Sequence, residues 1–316
     1  MKDYEIFVES SANIPEHLVQ DRNIRVIPYY FSIKGKERPC YEKGVPFKEI
    51  AKHFYAEMRA GMEAKTSLIS EARFVEELSP TLKAGKDAVV LTIASGISGT
   101  YQQALAAKKT LEKAFPARRV YVCDSANASL GQGLLALRAA DLRDLGESAE
   151  TCAQWLKENA FKMNSYVTVE DLKYLRRTGR ISMAAAVAGT ILGIKPLIRA
   201  DGSVTNPKMT VYGKARGRKK AISALVDAFD SRAIRPEAQT VAIAHADCEE
   251  EATALAEILK EHGAGNVIIE YYDLCTGSHI GPGTIALFFF GEDRRAPGSI
   301  SDAIRSHGAP MPAPTR

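Results

Sequence analysis

The chain has 316 residues, 46% of them hydrophobic and 25% charged, with a formal net charge of +4. These values suit a soluble globular protein of two ordinary domains. No apolar run approaches the ~18 to 20 residues of a membrane span, and the mild positive excess does not by itself point to nucleic acid.

The opening MKDYEIFVES runs straight into a strand-like pattern with no secretory leader before it. Cys40, Cys123, Cys152, Cys248 and Cys275 are odd in number and lack CxxC spacing, which fits a reducing cytoplasm. Tyr4 to Val8 reads as a first strand, ending at the turn and helix-start residues of ESSANIP. IRVIPYYFSIKG follows as a second strand region. Pro46 to Met58 carries a helical stripe of Phe47, Ile50, Ala51, Phe54 and Met58. Thr66, Ser67 and Ser70 then precede a helix from Glu71 to Leu82, a hydroxyl-rich helix entrance.

The central stretch is AVVLTIASGISGTYQQALAAKKTLEKAF, from Ala88 to Phe115. A buried strand through Val89 to Ile93 meets a helix beginning near Tyr101. Between them, SGISGT puts two glycines and three hydroxyls at a strand-to-helix junction. Uncovered amides at the positive end of a helix, with Ser95, Ser98 and Thr100 beside them, suit an anion. Ser98 or Gly99 acting only as a helix cap is the other reading of the junction.

RRVYVCDSANAS supplies a further strand, followed by helices at Leu130 to Leu145 and Ala149 to Met163. Strands alternating with helices predict a parallel sheet covered on both faces, with ligands beyond the carboxyl ends of its strands. After Asn164 the pattern changes. SYVTVEDLKYLRRTGRIS reads as a strand and a short helix ending in a basic turn, and Met183 to Ile194 as a close-packed helix. KPLIRADGSV and MTVYGKARG read as strands joined at Asp201 and Gly202. A helix from Arg218 to Phe229, a strand at QTVAIAHAD, a helix from Glu249 to His262 and a strand at NVIIEYYD complete the second half. The expected units are 1–163, 164–293 and a loose tail at 294–316.

Several motifs are set aside. GISGT departs from the nucleophile elbow at Thr100. Gly131, Gly133 and Ala136 form a GxGxxA match, but a long loop separates them from the strand and no acid follows at the required distance. His245 and His279 lack metal-ligand spacing. The basic run of Lys214, Arg216, Arg218, Lys219 and Lys220 is either a solvated face or a docking surface.

Six stretches, ESSANIP, TSLIS, ASGISGTYQQA, DLKYLRRTGRIS, GKARGRKKA and HIGPGT, resemble in content and order the motifs of the DegV family of bacterial fatty-acid-binding proteins. They extend from Glu9 to Thr284. The resemblance implies a two-domain α/β fold: an N-terminal parallel sheet flanked by helices, then a C-terminal α/β domain with a mixed or antiparallel sheet. It implies a long-chain fatty acid bound between the domains as ligand, with no cofactor and no metal, and a partner kinase subunit that converts the acid to acyl phosphate for phospholipid synthesis. By motif, Thr66, Ser67, Ser95, Ser98 and His279 are implied at the carboxylate, Arg180 at the phosphoryl group and Arg216 at the kinase docking surface. Residues 184–194, Val267 to Tyr272 and Ile285 to Phe290 are the candidate walls for the acyl chain. Glu9, Leu68, Ile69, Ala94 and Ile280 depart from the family pattern and bear on pocket geometry. The alternative reading is a serine-dependent hydrolase or transferase of acyl or phosphate esters, with Ser98 as nucleophile and His279 as base.

Overall fold

The computed structural model describes residues 3–44, 47–180 and 193–296. Its first half runs β1 (Tyr4–Glu9), α1 (Glu16–Asp21), β2 (Ile24–Ile27), β3 (Tyr30–Ile33), β4 (Lys36–Pro39), α2 (Phe47–Arg59), β5 (Lys65–Ser67), α3 (Glu71–Lys83), β6 (Asp87–Thr92), α4 (Thr100–Ala114), β7 (Val120–Asp124), α5 (Leu130–Asp144) and α6 (Ala149–Asn159). The second half continues with β8 (Met163–Thr168), α7 (Lys173–Arg177), β9 (Ile194–Ala200), β10 (Met209–Arg216), α8 (Arg218–Arg232), β11 (Thr240–His245), α9 (Glu249–Glu261), β12 (Asn266–Tyr271), α10 (Leu274–Ile280) and β13 (Ile285–Phe290).

β1 is buried along its whole length, as a strand covered on both faces must be. It pairs in parallel with β2 and β6, Ile6 lying opposite Ile24 and Val89, and β7 extends the sheet to the order β2-β1-β6-β7. The second sheet has the order β10-β9-β8-β13-β11-β12, in which only β11 and β12 pair in parallel. This is the mixed α/β architecture anticipated from the sequence. The single strand region expected at IRVIPYYFSIKG divides instead. β2 joins the parallel sheet, while β3 turns away into a small antiparallel sheet, β4-β3-β5.

Serine caps define two helix starts: Ser70 Oγ accepts from the Arg73 amide at 3.3 Å, and Ser148 Oγ from the Thr151 amide at 3.1 Å. The helix expected through Met163 stops at Asn159, because Met163 is already the first residue of β8. Most of the helix expected over residues 183–194 lies outside the described residues; Ile194, its last position, begins β9.

α5 is buried on nearly every side and packs on β1 and β6 of one sheet and on β8, β11 and β13 of the other. Its small residues permit this. A Cβ on Gly133 would stand 2.5 Å from the Ala12 carbonyl oxygen, and one on Gly131 would stand 2.5 Å from Asn127 Oδ1. The GxGxxA match is thus a packing surface between two sheets. One apolar cluster runs from Ile6 and Val89 through Leu135 to Ala242 and Phe288, joining the halves.

The loose tail expected from residue 294 is corrected at its start. Arg294 is buried, and its guanidinium donates to the carbonyls of Asp201, Ala126 and Ala160. Among the described residues no helix is long and apolar enough to cross a membrane.

Candidate functional site

The loop from β6 into α4 is fixed at its start by a buried acid. Glu9 Oε1, at the end of β1, accepts from the Ile93 amide at 2.9 Å, and Gln132 of α5 donates to Glu9 Oε2. Burial pushes the Glu9 carboxyl up to about 7. Within the loop, Ala94 O accepts from the amides of Ile97 (2.9 Å) and Ser98 (3.2 Å), the Asp124 carboxylate from Ser95 N, and Ser98 Oγ from Thr100 N. The amides expected to stand open for an anion are therefore largely spent on the loop itself. The remaining donors are side-chain hydroxyls.

Three of those hydroxyls meet. Ser98 Oγ lies 3.0 Å from Thr100 Oγ1, and Thr100 Oγ1 lies 2.7 Å from Tyr29 Oη. Tyr29 is held by its own amide, which donates to Ser10 Oγ at 3.0 Å, so the ESSANIP loop reaches the site through it. Each hydroxyl both donates and accepts, so a proton can be reoriented along the chain toward a ligand.

β5 runs antiparallel to β3, with Thr66 opposite Phe31 and Ser67 opposite Tyr30. Thr66 Oγ1 lies 2.9 Å from His279 Nε2 on α10. Two motifs from opposite ends of the chain are joined by this bond. The Asp273 carboxylate caps α10 through the Thr276 amide at 3.0 Å. Just beyond the helix, Gly281 takes a positive φ of 79°, and a Cβ there would strike the Tyr174 ring.

His279 is largely withdrawn from water. Burial first, then the charges of Arg180 and Arg177, bring its imidazole down to about 4, so the ring is neutral at pH 7. Among the described residues its buried Nδ1 has no hydrogen-bond partner, a cost that a hydrogen-bonding ligand would relieve. With the proton on Nε2, the imidazole donates to Thr66 Oγ1 and leaves the threonine hydroxyl free to donate onward.

Among the described residues, none of the other sequence-derived candidates is hydrogen-bonded to this pair. Ser67 is exposed and, by strand alternation, projects to the face opposite Thr66. Ser95 engages Asp124 through its amide, and its hydroxyl is not bonded to Thr66, Ser98 or His279. Arg180 is exposed, donates to the Thr178 carbonyl and acts on His279 by its charge. Arg216 is exposed at the end of β10. Arg218 departs from the solvated basic run, since it pairs with Glu251 at 2.7 Å. The TSLIS and ASGISGT stretches are neighbours, because a Cβ on Gly99 would lie 3.4 Å from Leu68 Cδ2.

The Ser98 and His279 enzyme reading meets a geometric objection. His279 Nε2 is bonded to Thr66 rather than Ser98, and no carboxylate among the described residues is bonded to its Nδ1. A nucleophile, a base and an orienting acid are thus not assembled.

Cavities of about 770 and 1140 Å³ open among the described residues. The smaller includes Met58, Tyr174 and Arg177; the larger includes Phe31, Cys40, Phe47, Ile269, Tyr271 and Leu274. Neither is lined by Thr66, Ser98 or His279. Of the expected acyl-chain walls, Ile269 and Tyr271 reach the larger cavity, whereas Ile285 to Phe289 are closed core. Residues 184–192 lie outside the described residues.

A family model described as "Uncharacterised protein, DegV family" matches residues 3–292. The chain belongs to the DegV family. A DegV domain-containing protein of Clostridium perfringens is 35% identical over 297 residues, covering 93% of this chain and 99% of its own. The crystal structure of DegV from Bacillus subtilis, described as a fatty acid binding protein, is 29% identical. It has a TM-score of 0.76 and covers 90% of this chain and 98% of its own. A Thermus thermophilus DegV family protein, described for its fatty acid binding, is 26% identical with a TM-score of 0.78, covering 92% and 100%.

Within this DegV chain, Tyr29 is the site neighbour that sequence reading missed. The run Pro28-Tyr29-Tyr30 offers two tyrosines in one apparent strand, and only the departure of β3 from the parallel sheet brings the first to Thr100.

Proposed function

We propose that this DegV protein is a cytoplasmic carrier of a long-chain fatty acid, held between units formed by residues 1–163 and 164–293. In this reading Thr66, Ser98 and His279 receive the carboxylate. A partner kinase transfers the terminal phosphoryl group of its nucleotide to a carboxylate oxygen, releasing the nucleoside diphosphate and leaving an acyl phosphate. The observation that carries the reading is the Thr66–His279 contact at 2.9 Å, which leaves the threonine hydroxyl oriented to donate to a carboxylate. Fatty acid binding by relatives from Bacillus subtilis and Thermus thermophilus supports it.

The two ends of such a ligand need unlike surroundings. About 0.8 kcal/mol per buried CH₂ gives ~11 kcal/mol for ~14 of them, against association costs of about 4 to 15 kcal/mol. The tail supplies affinity, and the hydroxyls and imidazole set the register. Arg180, whose charge already acts on His279, is the cation assigned to the incoming phosphoryl group, and Arg216 belongs to the docking face.

The test is extraction of the purified protein and mass spectrometry of the organic phase. Stoichiometric fatty acid is expected; its absence, together with failure to bind added fatty acid, overturns the reading. Hydrogen bonds to a charged group contribute about 1.5 to 3 kcal/mol each, so Thr66→Ala combined with Ser98→Ala should weaken binding about a hundredfold or more. With a partner kinase, Arg180→Ala should lower acyl phosphate formation while fatty acid retention persists; an unchanged yield removes Arg180 from its role.

A further inference from the structure

Cys40, Cys275 and Asp273 are distant in sequence and meet in the fold. A carboxylate oxygen of Asp273 and the two Sγ atoms all lie within 4.8 Å of one another, and all three residues are buried. We infer that these three side chains form a site for a thiophilic divalent cation of the zinc class.

The chemistry of the donors is the first argument. Cysteine thiolates and aspartate carboxylates are each ligands for such a cation, whose bonds to sulfur are about 2.3 Å. Tetrahedral geometry at that radius places ligand atoms about 3.5 to 4 Å apart, so from atoms that all lie within 4.8 Å of one another closure needs a contraction of about 1.3 Å at most. Asp273 is 4% exposed, yet among the described residues its Oδ2 has no hydrogen-bond partner, while the carboxylate caps α10 through the Thr276 amide. A buried carboxylate oxygen without a partner is costly, and a cation offsets that cost.

The surroundings supply rigidity and access. The Cys40 amide donates to the Tyr29 carbonyl at 2.7 Å, and the Asp273 amide donates to Asn13 Oδ1. Both ligands are thus held by backbone bonds. Cys40 and Asp273 also line the 1140 Å³ cavity, which gives an entry path and room for a water ligand at the remaining coordination position. Binding releases the thiol protons to solvent as the metal–sulfur bonds form. The cation would tie the chain after β4 to α10, the helix that carries His279.

Cobalt(II) is the probe, titrated anaerobically into the full-length chain after treatment with a chelator. One equivalent should produce sulfur-to-cobalt charge-transfer bands and the intense visible bands of a tetrahedral centre, both abolished by added zinc(II). Cys40→Ser and Cys275→Ser should each remove the charge-transfer bands or sharply reduce them, and Cys248→Ser should leave them intact. Because a buried substitution can unfold the chain, the unsubstituted protein supplies a second reading. Zinc(II) should protect Cys40 and Cys275 from alkylation, as mapped by peptide mass spectrometry. Absence of the bands, their survival in both variants, or unchanged alkylation of the two cysteines would overturn the assignment.

Discussion

At the scale of single residues, His279 carries the most specific expectation. Its ring is neutral above the ordinary histidine value in both folded and unfolded chains, and in the folded chain it stays neutral down to about 4. Its contribution to stability is therefore present above about pH 6.5 and is lost as pH falls from there toward 4. A bound carboxylate favours the imidazolium, so loading with fatty acid should move the His279 titration upward from about 4. Imidazole NMR resonances would follow both titrations; an unperturbed value near 6.5 in the free protein, or no movement on loading, counts against this account. Thr66 and Ser98 could be singled out from hydroxyl-rich junctions in the sequence. The bond from Thr66 to His279 could not, since 213 positions separate them. Cys40 and Cys275 show the same limit: spacing along the chain carries no trace of a meeting made by β4 and α10.

At the scale of elements, the sequence was most legible where a local rule decides the outcome. α3 begins after Ser70 as its cap requires, and Ser70→Ala should cost about 1 kcal/mol in chemical denaturation. The short elements were harder to read. β5 spans three residues, Lys65 to Ser67, and is a strand because β3 pairs with it. α10 spans seven residues with a glycine among them, too few for a clear period. The amides of the β6–α4 loop misled for another reason: a junction rich in glycine and serine can satisfy its own donors, and only coordinates show whether it does. Gly133→Ala on α5 tests the close packing directly, because the added methyl meets backbone rather than a movable side chain. A loss of about 1 to 3 kcal/mol is expected, and an unchanged denaturation midpoint would contradict the packing described.

At the scale of the molecule, buried acids and buried imidazoles oppose one another. Glu9 and Asp273 are held by burial at about 7 and about 6, above their ordinary values, so their contribution is lost as pH rises through those values. His245 and His279, both brought down to about 4 by burial, lose theirs as pH falls below the ordinary histidine value. The melting temperature should therefore peak at weakly acidic pH, and a steady rise into the alkaline range would refute this balance. The order of the two sheets was visible as a change of pattern near residue 164, and helix α5 was expected at Leu130 to Leu145; that both sheets share it was not visible, because an all-round buried helix shows no amphipathic stripe. A fragment ending at residue 163 would expose the α5 surface that packs on β8, β11 and β13. It should aggregate or remain unfolded, as read by gel filtration and circular dichroism.

On the carrier reading proposed above, the position of α5 also constrains how cargo would be exchanged. A helix that is a wall of both sheets cannot follow one without leaving the other, so a wide hinge between them would uncover apolar surface on one side. A carried lipid would then enter and leave by small displacements of the outer layers around an unbroken centre. Exchange rates should respond to substitutions at the periphery of the cavities, while the two sheets keep their spacing whether cargo is aboard or not.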